Sequence, residues 1–156
     1  MKLALGTVQF GLNYGVANAS GQVGLEHIRN ILEIAENAGI TSLDTAIAYG
    51  DSEQSLGQVG VSSFQIISKL PPLPDLVDVQ GWVEEQIQAS LQRLNVKQLD
   101  GILLHRALDI VGEHGIQLRQ ALQRAVARGE TKAIGISIYD PSELDQIMAV
   151  WKPDLI

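Results

Sequence analysis

Polar and apolar positions follow two alternating rhythms along the chain. Short apolar runs rich in strand-forming residues fall at Leu3–Thr7, Thr41–Asp44, Phe64–Lys69, Leu99–His105 and Lys132–Ser137. Between them, apolar residues recur every three to four positions, the period of a helix with one buried face. The first such stretch is Leu25–Ala38, with Leu25, Ile28, Ile31, Leu32, Ala35 and Ala38 on one stripe and Gly39 as its stop. A shorter helix is expected over Asp51–Gln58. Trp82–Leu94 carries Val83, Ile87, Leu91 and Leu94, and Asn95 closes it. Gly115–Arg128 carries Leu118, Leu122, Ala125 and Val126, ended by Gly129. A fifth helix opens at Asp140-Pro141-Ser142-Glu143, which is a cap, a proline at the first helical position and an acid at the third. Its stripe is Leu144, Ile147, Met148 and Trp151. A sixth apolar run begins at Asp154.

Strands separated by helical crossovers pair in parallel with right-handed connections. The pattern is therefore α/β, five βα units of about 30 residues each. Neither a linker nor a low-complexity segment divides it. Two architectures fit, a doubly wound open sheet or part of a (β/α)8 TIM-barrel type fold. The chain has 156 residues, whereas a closed barrel typically takes about 250. Its last residues, Trp151-Lys152-Pro153-Asp154-Leu155-Ile156, resemble a loop running into another strand. The expectation is one partial barrel domain over residues 1–156, truncated at the start of strand six.

Charge narrows the partners. Eighteen acids against eleven bases give a net charge of −7, which repels nucleic acid and anionic membrane surfaces. No apolar stretch approaches the roughly 18 residues of a membrane span. Cysteine is absent, so disulfides, zinc–thiolate sites and thiol nucleophiles are excluded. A cytoplasmic location fits that composition.

In parallel α/β folds the chemistry sits at the C-terminal ends of the strands. The polar residues there are Thr7 and Gln9 after the first run, Asp44 at the end of the second with Tyr49 in its loop, Lys69 at the end of the third, His105 of the fourth and Ser137 of the fifth. Taken singly, each has a plainer reading: Asp44 as a cap, Tyr49 as packing, Lys69 as a solvated charge, His105 as a satisfied strand histidine. Taken together, Asp44, Tyr49, Lys69 and His105 form a chemical set. A tyrosine hydroxyl becomes a usable general acid when a nearby ammonium stabilises the phenolate it leaves behind. An aspartate holds that lysine and keeps it charged. A histidine at the next strand end can hydrogen-bond a substrate carbonyl. Such a set can protonate an oxygen while hydride arrives at carbon.

These residues lie in segments that resemble the aldo-keto reductase family: LGTVQFGLNYG at the start, LDTAIAYGDSEQSLG around Asp44 and Tyr49, ISKL around Lys69, LLHR around His105 and IGISIYDPSEL around Ser137. The resemblance implies a (β/α)8 barrel and NADPH-dependent reduction of aldehydes or ketones. It places a catalytic tetrad on Asp44, Tyr49, Lys69 and His105, with Tyr49 as proton donor. It places the nicotinamide end of NADPH near Gly6, Thr7, Val8, Asp44 and Ser137. Where many members carry asparagine after that serine, this chain has Ile138. The family's last strands, which hold the adenosine phosphates, are expected to be missing.

Other chemistries have weaker footing. His105 and Asp109 are four apart, but no second histidine completes a metal pair. Gly6, Gly11 and Gly15 follow no phosphate-loop spacing. Pro71–Pro74 reads as a stiff loop at the mouth of the site or a link into the next helix. No GxSxG stands for a serine hydrolase. Two functions therefore stay open: a carbonyl reductase, or a catalytically inactive barrel fragment or interaction module that self-associates through exposed strand edges.

Overall fold

The computed structural model describes residues 3–16, 18–19, 21–75 and 78–156. Five strands form one parallel sheet: β1 (Ala4–Gly6), β2 (Ser42–Asp44), β3 (Gln65–Leu70), β4 (Gly101–Leu104) and β5 (Ile134–Ile136). Five helices connect or follow them: α1 (Leu25–Asn37), α2 (Ser52–Val59), α3 (Val79–Leu94), α4 (Gly115–Ala127) and α5 (Pro141–Met148). The strand order is β1-β2-β3-β4-β5, and every pairing is parallel. That order decides between the two architectures. A doubly wound sheet reverses direction partway and puts helices on both faces. A strictly sequential order with right-handed crossovers puts every helix on one side, as in a (β/α)8 barrel. The fold is thus α/β, a partial barrel of that type.

Strand residues alternate between the helix layer and the barrel axis. Leu43, Ile66, Leu70, Ile102, Leu104, Ile134 and Ile136 face outward into one core with Ile87, Leu91, Leu118 and Leu122 of the helices. Asp44 and Lys69 lie on the opposite face, toward the axis. The expected runs were longer than the strands because their ends continue as loops at the two rims. Leu99, read as part of the fourth strand, makes only a single bridge to Thr131 before β4 begins.

The helix boundaries follow their caps. Gly39 and Gly129 adopt φ of +76° and +74°, and Asn95 is left-handed at φ 54°, each where a stop was expected. α3 starts three residues before the expected Trp82, because Asp78 caps it by accepting the Gly81 N–H at 2.9 Å. At α5, Asp140 accepts the Ser142 N–H at 2.8 Å. Glu143 reaches back to the Tyr139 N–H at 3.2 Å rather than to the cap residue itself. Trp151, expected on the α5 stripe, lies beyond the helix yet is buried. Two short 3-10 turns, Val8–Phe10 and Ala107–Val111, lie in loops that hydrophobic periodicity cannot resolve. At the far edge, Leu155 bridges Gly135 in parallel, and the Ile136 N–H donates to Leu155 O at 3.1 Å. The apolar run from Asp154 thus begins strand-like pairing with β5.

Candidate active site

β2, β3 and β4 end at one rim, and residues at or just beyond their ends carry the polar cluster. Register puts Gly6 beside Asp44. β3 continues past the end of β2, so the Lys69 side chain rises beside the loop that follows Asp44. That loop is held to the strand by an Ile47 N–H to Lys69 O bond of 3.1 Å. It turns at Ala46–Tyr49 and runs directly into α2.

Lys69 is the centre of the cluster. Its side chain is buried, 6% exposed. Its ammonium has three protons and three acceptors: Asp44 Oδ1 at 2.7 Å, Thr45 O at 2.8 Å and Tyr49 Oη at 3.4 Å. Lys69 donates to the tyrosine oxygen, so the phenolic proton is left to point elsewhere. The ammonium also lies 5.0 Å from the Tyr49 ring centroid. His105 stands edge-on to that ring, with centroids 5.8 Å apart and planes at 80°. Burial and the neighbouring Lys69 charge push the His105 imidazole below its ordinary value, and Asp44 opposes them less strongly. Asp44, Tyr49 and His105 remain partly exposed, so the cluster opens to solvent on one side.

The four residues expected as a tetrad are therefore brought together: Asp44 and Tyr49 each meet Lys69, and His105 meets Tyr49. The residues expected around a cofactor lie at the same rim. Gly6 is exposed, and a Cβ there would meet nothing within 4 Å. Val8 and Ser137 are half-buried. Thr7 is fully buried. Its hydroxyl donates to Asp44 O at 3.0 Å and accepts from Ser52 Oγ at 3.0 Å. Ile138 packs against the core. The open space at Gly6, beside Asp44 in register, leaves room for a flat group at that end of the rim. Basic side chains for phosphates are scarce at that rim: the loops following β1, β2, β3 and β5 contain no lysine or arginine, and the β4 loop contains only Arg106. That arginine pairs with Asp109 at 2.5 Å. Among the described residues, no group of three or more His, Asp or Glu could hold a metal ion. No helix among them is long and apolar enough to cross a membrane.

Sequence reasoning missed what stands behind the cluster. Ser52, at the start of α2, donates to Thr7 O at 2.9 Å and lies 3.2 Å from Thr45 Oγ1. Gly11 lies flush against the Tyr49 turn: a Cβ there would come within 1.8 Å of Tyr49 O. Glu53 is 1% exposed and bound by Ser68, Ser90 and Arg93. One signal was available, a glutamate next to Ser52 on the buried side of a short helix.

Comparison with known proteins agrees with this fold. The Aldo/keto reductase family model matches residues 2–156, and the chain belongs to that family. Among solved structures, a candidate aldo-keto reductase from Pseudomonas aeruginosa is similar at 28% identity and a TM-score of 0.72, over 86% of this chain and 54% of that one. An aldo-keto reductase from Bacillus halodurans shares the fold at 19% identity and a TM-score of 0.76, over 97% and 51%. An aldo-keto reductase from Klebsiella pneumoniae in complex with NADPH does so at 24% and 0.69, over 95% and 49%. The chain thus spans about half the length of these structures. A search of the curated proteins finds no match.

Proposed function

We propose that this chain carries the proton-transfer half of an NADPH-dependent reductase of aldehydes or ketones. The observation that supports it most is the direction of the Lys69–Tyr49 contact. Lys69 donates to the phenolic oxygen, so the Tyr49 proton is free for a substrate oxygen on the open side. As that proton leaves, negative charge develops on Tyr49 Oη beside a fixed ammonium, the arrangement that lowers such a barrier. Asp44 and Thr45 O prevent the ammonium from swinging away. His105, held neutral near pH 7 by burial and Lys69, donates an N–H to the same carbonyl oxygen and orients it. NADPH, when bound, supplies the hydride to the carbonyl carbon, so the product is an alcohol. Gly6, Asp44 and Ser137 would hold its nicotinamide end, with Val8 near them, and Thr7 braces Asp44 by donating to its backbone oxygen.

A cytoplasmic setting fits a chain without cysteine. β1 is one of the two outer strands of the sheet, with Leu3 53% exposed next to it, and a second copy of this chain pairing there is part of the proposal. Light scattering that gives a monomer at all concentrations would remove that part alone. The scarcity of basic residues in the strand-end loops fits the inactive-fragment reading, but the assembled Asp44, Lys69, Tyr49 and His105 cluster favours the reductase. The test is fluorescence titration with NADPH on the chain. Saturable binding supports the reading; no binding with the protein folded contradicts it.

A further inference from the structure

The polar group least explained by the proposed chemistry is Glu53. It lies in the helix layer, on the far side of β3 from the cluster, where the core is mostly apolar. Its two oxygens divide their partners. Oε1 accepts from Ser68 Oγ at 2.6 Å and Ser90 Oγ at 2.7 Å. Oε2 takes Arg93, with Nε at 2.8 Å and Nη2 at 2.7 Å, the latter off the hydrogen-bond axis. One carboxylate thus links α2, β3 and α3.

Two of those links lead to the cluster. Ser68 is the neighbour of Lys69 on β3, with its side chain on the opposite face. Glu53 follows Ser52, whose N–H donates to Tyr49 O at 3.1 Å. The Ser68–Glu53 bond therefore shares in setting how far the Tyr49 turn and α2 stand from β3, alongside the Ile47 N–H to Lys69 O bond. The Lys69–Tyr49 contact spans the same gap and, at 3.4 Å, is the longest bond of the lysine. A hydrogen bond that long weakens quickly with further separation.

We propose that Glu53 is a positioning residue, which fixes the Lys69 Nζ–Tyr49 Oη distance through Ser68. Its effect on turnover rests on the proposed reductase function; its effect on geometry does not. The test compares Ser68→Ala with Ser90→Ala. Each removes one hydroxyl from the same oxygen at nearly the same length, but only Ser68 belongs to the strand that carries Lys69. A bracing role limited to stability predicts equal effects from the two. Positioning predicts different ones.

The first readout is the ring-current shift that Tyr49 imposes on the His105 ring protons, measured by NMR. The chain has three histidines, so the signals are separable. In Ser68→Ala the shift moves toward the unstacked value; in Ser90→Ala it stays at wild type. The second readout is steady-state reduction of a simple aldehyde by NADPH. In Ser68→Ala kcat falls roughly tenfold with KM little changed, in keeping with a sub-ångström misplacement. Ser68→Thr, which restores the hydroxyl, recovers both. Equal His105 shifts in the two alanine variants would overturn the proposal, as would an unmoved shift in a folded Ser68→Ala. If the shift moves selectively but wild type itself reduces nothing, positioning stands and the reductase reading falls. If Ser68→Ala does not fold, Glu53→Gln is read by the same shift, and a wild-type value there overturns the proposal.

Discussion

Gly11→Ala is the sharpest perturbation available near the cluster, because it adds one methyl group and nothing else. Gly11 has φ −123° and ψ −17°, a negative φ that carries no left-handed penalty for alanine. The cost is therefore purely steric. The new Cβ would lie 1.8 Å from Tyr49 O, 2.3 Å from Ser52 N and 2.8 Å from Asp51 N. Real Cβ contacts essentially never close below 3.0 Å, so the gap must open by more than an ångström. All three obstructing atoms are backbone of the turn that carries Tyr49, so no flexible side chain can absorb the movement. Displacing a reacting group by about 1 Å costs on the order of 100-fold in rate. Overpacking of this kind also destabilises by about 1–3 kcal/mol. The assay is aldehyde reduction followed by NADPH consumption, alongside a thermal melt. Gly24→Ala is the control, since its Cβ would meet nothing within 4 Å. The expectation is a folded Gly11→Ala with kcat down about two orders of magnitude and an unaffected Gly24→Ala. A folded Gly11→Ala with wild-type kcat would show that Tyr49 placement does not matter, and the proposed mechanism would be refuted.

Other consequences follow from burial and charge. Since burial and Lys69 depress the His105 value, the unfolded chain takes up that proton first as pH falls. Stability should therefore rise with pH between the folded His105 midpoint and the ordinary value of about 6.5, and be level in this respect above it. An NMR midpoint at or above the ordinary value contradicts this, as does a His105→Gln variant with the same acid-side slope as wild type. Arg93→Met leaves the Glu53 carboxylate buried without its ion partner. Breaking a buried pair costs about 3–5 kcal/mol, and the 34% exposure of the Arg93 side chain places the expected loss at the lower end. Denaturant unfolding that shows a loss below about 1 kcal/mol would mean that the pair behaves as a surface contact.

The parts of the molecule visible in the sequence are those governed by repeating hydrophobic periods. The strand at Gln65–Leu70 and the helix at Gly115–Ala127 were legible because one face of each must leave water. Lys69 and His105 were legible for a related reason: a polar residue ending an apolar strand run marks the rim. What periodicity cannot show is polar burial satisfied across the fold. Glu53 reads as an ordinary acid in the first turn of a helix, where the dipole favours it. Its true partners are 15, 37 and 40 residues away. Gly11 reads as a turn glycine, yet its role comes from the Tyr49 backbone pressed against it, nearly forty positions later in the chain. Asp78 caps α3 through its side chain, whereas the apolar stripe alone put the expected start of that helix at Trp82. The sequential strand order, which selects the barrel type over a doubly wound sheet, is likewise a property of the assembled sheet.

The central claim is that Tyr49 delivers the proton while Lys69 holds its oxygen. Tyr49→Phe removes that single hydroxyl and keeps the ring that faces His105. The deciding measurement is the rate of aldehyde reduction by Tyr49→Phe and wild type at equal NADPH occupancy, fixed by fluorescence titration. Tyr49→Phe is expected to bind NADPH with nearly unchanged affinity and to lose at least about 100-fold in rate. Turnover by Tyr49→Phe close to that of wild type would contradict it.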